Sequence, residues 1–231
     1  MSNEKPLRKI RSFVRRSGRL SKAQAIGLNE LWDDYGINPN GKLLNFNKLF
    51  LSPNNVTLEV GFGNGDSLLE TAIQNPNINF LGIEVYEAGV GRLINEASKN
   101  KLTNLKIIKD DAVEVLNNNI PDDSISHFQL FFPDPWHKKR HHKRRIVQTS
   151  FLDLLTKKLK NNGIVHIATD WENYAEHIME TLESHSHFKN CAGDHIYSER
   201  PEQRPLTKFE NRGQKLGHGV WDIIFTNLKG G

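Results

Sequence analysis

Short apolar runs alternate with amphipathic stretches along most of the chain. The runs predict strands at residues 56–60, 80–83, 105–108, 125–132 and 164–168. Between them the apolar positions recur with helical spacing, predicting helices over 66–74, from 86, near 112, over 147–159 and over 173–182. Strand, helix, strand in repetition implies a parallel sheet. Two last strands are expected near His195 and over 220–225. Upstream, residues 1–20 read as a mobile arm, Ser21 and Gln24 resemble a capping box opening a helix to about Tyr35, and 36–53 is a loop-rich connection. No repeat or boundary interrupts residues 21–231, so a single domain is expected after the arm. The polar stretch 198–219 is longer than an ordinary connection, which marks a functional loop.

The first strand runs into three glycines: residues 58–66 read LEVGFGNGD, with Gly61, Gly63 and Gly65 at alternate positions and a helix at once. Glycines there let backbone approach a ligand at the carboxyl edge of the sheet. The dinucleotide fingerprint spaces its glycines G-x-G-x-x-G, so this G-x-G-x-G spacing departs from a nicotinamide site. Glu59, inside the strand, needs a cation or donors if buried, and an amino-acid ammonium suits it. Glu84 ends the second strand, where a carboxylate accepts from ribose hydroxyls. Asp110 and Asp111 end the third, placed to meet an adenine, with helix capping the plainer role for Asp111. Three successive acidic strand ends favour a cofactor site over a mere turn.

The fourth strand ends in Phe131-Phe132-Pro133-Asp134-Pro135-Trp136, followed by nine basic or histidine residues from His137 to Arg145. A carboxylate between two prolines has little backbone freedom, and it lies where an acceptor substrate must sit. Trp136 either stacks on a base or fills the core.

Charge sharpens this picture. The net charge is only +4, yet residues 5–22 hold eight Lys/Arg and 137–145 hold six, with no acids in either; setting these fourteen aside leaves a remainder at −10. Concentrated positive charge on an acidic body fits a polyanion partner. One cysteine, Cys191, supports neither a disulfide nor a zinc site and is expected to be buried. The paired His141 and His142 lack acidic neighbours, so no metal is expected. No run is long enough to span a membrane and no signal-peptide core is present, so a soluble cytoplasmic protein is expected.

Taken together, RSFVRRSGRLSKAQ, LEVGFGNGDSLLETA, FLGIEVYEAGV, DDAVEVL, FFPDPWHKKRHHKRRIVQ, HIATDWENYAEHIME and TKFENRG, in this order, resemble the bacterial tRNA (guanine-N7-)-methyltransferase family over nearly the whole chain. The resemblance implies a class I, Rossmann-like α/β fold, a seven-stranded mostly parallel sheet with one antiparallel strand, and S-adenosylmethionine as donor. It implies that Glu59, Glu84, Asp111 and Asp134 line the cofactor pocket beside the glycines, with Asp134 also the active-site residue. Lys138, Asp170, Thr207, Lys208, Phe209 and Glu210 would contact the substrate, and Arg140, His141, His142, Lys143, Arg144 and Arg145 the RNA. Guanine N7 carries a lone pair and no proton, so positioning and electrostatics matter more than a general base. In A-form RNA the N7 edge is closed to side chains, so the target must be exposed or extruded. Arg11, Arg15, Arg16 and Arg19 would clamp the tRNA.

A DNA adenine methyltransferase has a related motif with two consecutive prolines, where here one proline separates Asp134 from Trp136. A non-catalytic RNA-binding module and a nicotinamide oxidoreductase are the remaining rivals. The sequence leaves open which guanosine is chosen and whether a monomer or a homodimer acts.

Overall fold

The computed structural model describes residues 11–13, 18–206, 210 and 219–229. The arm's residues 1–10 and 14–17, including Arg15 and Arg16, and Thr207, Lys208 and Phe209 lie outside the described residues.

In chain order the elements are α1 (Lys22–Asn29), α2 (Trp32–Tyr35), β1 (Gly36–Ile37), α3 (Phe46–Leu49), β2 (Val56–Val60), α4 (Asp66–Gln74), β3 (Asn79–Ile83), α5 (Glu87–Lys99), β4 (Leu105–Ile108) and α6 (Ala112–Asn118). Then follow β5 (Ile125–Phe131), a 3₁₀ turn (Lys139–Arg144), α7 (Thr149–Lys158), β6 (Leu159–Thr169), α8 (Glu172–Glu183), β7 (Phe188–Asn190) and β8 (Trp221–Asn227). The strands form one sheet in the order β1-β4-β3-β2-β5-β6-β8-β7, in which β8 alone pairs antiparallel with its neighbours.

Central strands buried on both faces explain the unbroken apolar runs: every residue of β2 and of β3 is buried. One hydrophobic cluster joins α4 and α5 to β3 and β4 through Leu68, Phe80, Leu93, Ile94 and Leu105. The other gathers α6, α7 and α8 around Leu58, Leu81, Phe128, Leu152 and Ile178. Strand β2 pairs with β3 on one side and β5 on the other, so the chain reverses its direction of travel across the sheet between β2 and β5. The crevice at those two carboxyl ends is where open α/β sheets bind ligands.

The sheet has eight strands rather than seven, because Gly36–Ile37 adds an edge to β4. A two-residue strand has no periodicity to read; its partner seventy residues on creates it. The predicted helix 21–35 is two helices: the Ser21–Gln24 capping box is present, but α1 ends at Asn29 and α2 starts at Trp32. The strand expected near His195 lies at Phe188–Asn190 instead, and His195 has φ 59° in a turn. Cys191 is exposed rather than buried.

Helix α1 is seated against α5 by glycine on both sides. A Cβ on Gly27 would lie 2.0 Å from the Gly91 carbonyl oxygen, and one on Gly91 would lie 2.2 Å from that of Gln24. The two backbones touch, so the root of the arm is fixed to the helix that follows β3.

Candidate active site

Beyond β2 the chain passes through Gly61, Gly63 and Gly65 at φ 76°, 58° and 77°, a region that side chains rarely adopt. A Cβ on Gly61 or Gly63 would meet nothing within 4 Å, so these two leave open space above the strand end. Gly65 serves packing instead, since its Cβ would lie 2.8 Å from Leu93. Glu84, where β3 ends, accepts from the backbone N–H of Gly63 at 2.8 Å, of Val85 at 2.6 Å and of Tyr86 at 2.9 Å. It thereby holds the glycine loop in place. Of the roughly four lone pairs of a carboxylate, three are engaged, leaving one free for a ribose hydroxyl.

Glu59 is 3% exposed, and its carboxyl has no hydrogen bond among the described residues. Burial pushes its pKa up to about 8, and the nearby Glu84 charge adds to the rise. A buried acid left without a partner beside an open glycine loop suits the ammonium of an amino-acid-like ligand. Asp110 accepts from the N–H of Asp111, and Asp111 caps α6 by accepting from Val113 at 3.0 Å. Asp111 also lines a cleft of about 290 Å³ with Arg11, Ser12, Lys143, Arg144 and Gln148. The capping role is thus plain, and the cleft Asp111 borders lies toward the basic turn.

On the acceptor side, Phe132 donates to the Ala168 carbonyl at 2.8 Å, then turns with φ 52°; Trp136 has φ 51°. Between them, held by Pro133 and Pro135, Asp134 is exposed. The strand ends of β5 and β6 are adjacent, and His137 packs its ring 4.2 Å from that of Trp171, so the segments that carry Asp134, Lys138 and Asp170 leave the sheet side by side; Lys138 and Asp170 are both exposed. Trp136 neither fills the core nor stands free: its indole N–H donates to the Ser12 carbonyl at 3.1 Å, and the Arg144 guanidinium lies 4.8 Å over its ring. It ties the arm to the basic turn.

Within that turn Arg140 and Lys143 are exposed, while His141, His142 and Arg144 are half-buried. Desolvation first, then the surrounding cations, push both imidazoles below their ordinary pKa, so near neutral pH they offer hydrogen bonds rather than charge. Arg145 departs from the expected RNA-facing set. It is buried, donates to the Pro135 carbonyl and to both the backbone and side-chain oxygens of Asn173, and lies 4.7 Å over Tyr174. Its place is inside, bracing the loop that carries Asp134.

Glu210 departs in the same way. It is 2% exposed, and both its oxygens accept from Arg204, at 2.7 and 2.6 Å. Arg204 also donates to Asp222 at 2.9 Å, and Asp222 meets His166 at 2.6 Å. The Glu210 carboxylate is engaged inside, where it holds Arg204. Sequence reasoning missed Arg204, Asp222 and His166. The only available signal was that the polar stretch 198–219 is long. Among the described residues no group of three His, Cys, Asp or Glu is arranged to hold a metal, and no helix is long and apolar enough to cross a membrane.

The family model described as "Putative methyltransferase" matches residues 53–223. The tRNA (guanine-N(7)-)-methyltransferase of Shewanella amazonensis is 52% identical over 223 residues, spanning 96% of this chain and 94% of that one. That of Vibrio parahaemolyticus is 53% identical over 225 residues, spanning 97% and 94%. Among solved structures, the 16S rRNA methyltransferase KamB superposes with a TM-score of 0.60 at 17% identity, covering 80% of this chain and 93% of that one. The aminoglycoside resistance methyltransferase NpmB1 superposes at 0.54 and 12%, covering 79% and 92%. At these identities the two structures establish the fold alone.

Proposed function

Since the chain belongs to the tRNA (guanine-N7)-methyltransferase family, and so methylates guanine N7 in tRNA with S-adenosylmethionine as donor, we propose that its own residues act by placement and charge, without a general base. The observation that carries this reading is Asp134: an exposed carboxylate, fixed between two prolines, at the carboxyl edge beside the strand that ends in the glycine loop.

S-adenosylmethionine, when bound, supplies the sulfonium methyl that guanine attacks. Glu59, buried and unpartnered among the described residues, would take its ammonium, and Gly61 and Gly63 leave room for close approach. Glu84 would contribute its remaining lone pair to the ribose, and Asp111 would border the adenine. Asp134 would accept from guanine N1 and N2, donors that adenine lacks in that pattern, and stabilise the positive charge that grows on the purine. N7 bears no proton, so Asp134 has none to remove. Lys138 and Asp170, on those adjacent segments, would hold the nucleotide; Thr207, Lys208 and Phe209 keep their proposed substrate role from sequence alone. Residues 21–231 would form one catalytic unit working in the cytoplasm as a monomer or a homodimer.

The deciding experiment transfers labelled methyl from S-adenosylmethionine to unmodified bulk tRNA and analyses the nucleosides. The expected product is 7-methylguanosine; a label on any other nucleoside would overturn the assignment of the acceptor atom.

Lys138 and cations of the basic turn after it would contact phosphates. Replacing Lys138, Arg140, Lys143 and Arg144 by alanine is expected to weaken tRNA binding and to shrink the slope of log K against log salt by roughly 3, close to 0.7–0.9 per lost contact. Filter binding across a salt series checks it, and an unchanged slope would remove these four from the interface.

A further inference from the structure

Arg204 lies in a polar loop, yet its side chain is 1% exposed. A guanidinium is always charged, and burying it is costly unless its donors are matched by acceptors of good geometry. Here the terminal nitrogens are matched on two sides, while Nε makes an ion-pair contact without a hydrogen bond. Glu210 takes the two terminal nitrogens, and Asp222 of β8 lies 2.8 Å from Nε and 2.9 Å from Nη2. Although burial works against it, bonds from His166 and Arg204 hold the Asp222 carboxyl below its ordinary pKa, so the acid is ionised and available to the cation.

The Cζ of the same guanidinium lies over the rings of Phe131 and Phe132, 5.7 and 5.9 Å from their centroids. These distances fall within the range of cation–π attraction. Phe131 is further fixed by the edge of His166 at 5.0 Å. Phe132 is the residue that turns the chain with φ 52°, an expensive conformation for an aromatic residue that persists only when its surroundings enforce it. Asp134 is two residues on. The buried network therefore ends on the turn that aims the reactive carboxylate.

We propose that Arg204 is a positioning residue for methyl transfer: held by Glu210 and Asp222, it clamps the turn at Phe132 and so sets Asp134. This rests on the role given to Asp134 above. Arg204→Lys keeps the charge but loses the planar fork and the stacking face. Glu210→Gln loosens one of the two partners that hold the fork.

The test measures three quantities for each variant: cooperative melting, S-adenosylmethionine binding by calorimetry, and single-turnover methyl transfer at saturating tRNA. Both variants are expected to melt cooperatively and to bind one cofactor per chain, with Kd within about threefold of wild type. Transfer is expected to slow by roughly tenfold or more, as a misplaced catalytic group demands. Because the two residues act through one contact, the double variant is expected to be no slower than Arg204→Lys alone. A folded Arg204→Lys at the wild-type rate would overturn the proposal. So would additive losses, or a rate loss matched by a fall in cofactor stoichiometry, which would mark a folding role only. Should Arg204→Lys fail to fold, Glu210→Gln decides by the same rate and stoichiometry. A wild-type enzyme that yields no 7-methylguanosine would bring down the functional reading itself, an outcome separate from all of these.

Discussion

Asp134→Ala is expected to slow methyl transfer by about 10²- to 10³-fold, the cost of removing one preorganised electrostatic group from a reacting centre. The fold should survive it. Asp134 is exposed, and substitutions at such positions away from buried partners usually change stability by only about 0.5 kcal/mol. Asp134→Asn separates the two functions proposed for the carboxylate. The amide keeps one acceptor but replaces the other with donors and removes the charge, so it matches guanine N1 and N2 poorly and stabilises no cation. It should therefore be nearly as slow as alanine. Rapid-quench single turnover with saturating cofactor and tRNA measures both variants; an Asp134→Ala enzyme within threefold of wild type would show that the acceptor is held by other groups.

Glu59→Gln should weaken S-adenosylmethionine binding at pH 8 by roughly 10- to 100-fold, the range expected when a charge-assisted hydrogen bond is lost. The pH dependence is the more discriminating readout. With the Glu59 pKa near 8 in the free protein, a cation that binds its ionised form must displace a proton below that pH. Binding should tighten as pH rises from about 6 to 8, with up to one proton released, and the glutamine variant should lose this dependence. Calorimetry in buffers of different ionisation enthalpy counts the proton. The same shift acts on stability in the opposite sense. Between the ordinary 4.5 and about 8 the folded state keeps a proton that the unfolded chain has lost, so Glu59's stabilisation is complete below 4.5 and drains away as pH rises through 8. The free Glu59→Gln protein should be relieved of that decline. A cofactor affinity that is flat with pH in the wild type would assign the ammonium to another acceptor.

What could be read from the chain divides along physical lines. Strands β2 and β3 were legible because both their faces are covered, which keeps them mostly apolar, and the acidic strand ends were legible because the sheet's carboxyl edge follows from the topology. Strands β1 and β7 were not, since two or three residues carry no period and exist only by pairing with β4 and β8. In the site, Glu59, Glu84, Asp111 and Asp134 lie at the strand ends where they were expected. Arg145 and Glu210 turned inward. Charged residues inside basic or polar runs read as surface, and what buries these two is tertiary pairing: Asn173 lies 28 positions from Arg145, and Glu210 meets Arg204, which is itself drawn in by Asp222 18 positions away. No local pattern announces such a pairing.

The indole bond from Trp136 to Ser12 has a further consequence when joined to the glycine contact that roots α1 on α5. Between Ser12 and Ser21 the chain has nine steps, so the segment can span at most about 30 Å even if fully extended. Ser12 and the basic turn are thus held within that reach of α1, and Arg11 and Ser12 line one cleft with Lys143 and Arg144. A tRNA phosphate held by the turn would therefore lie beside Arg11 from the outset, and the second contact would be made within one complex rather than by a fresh encounter.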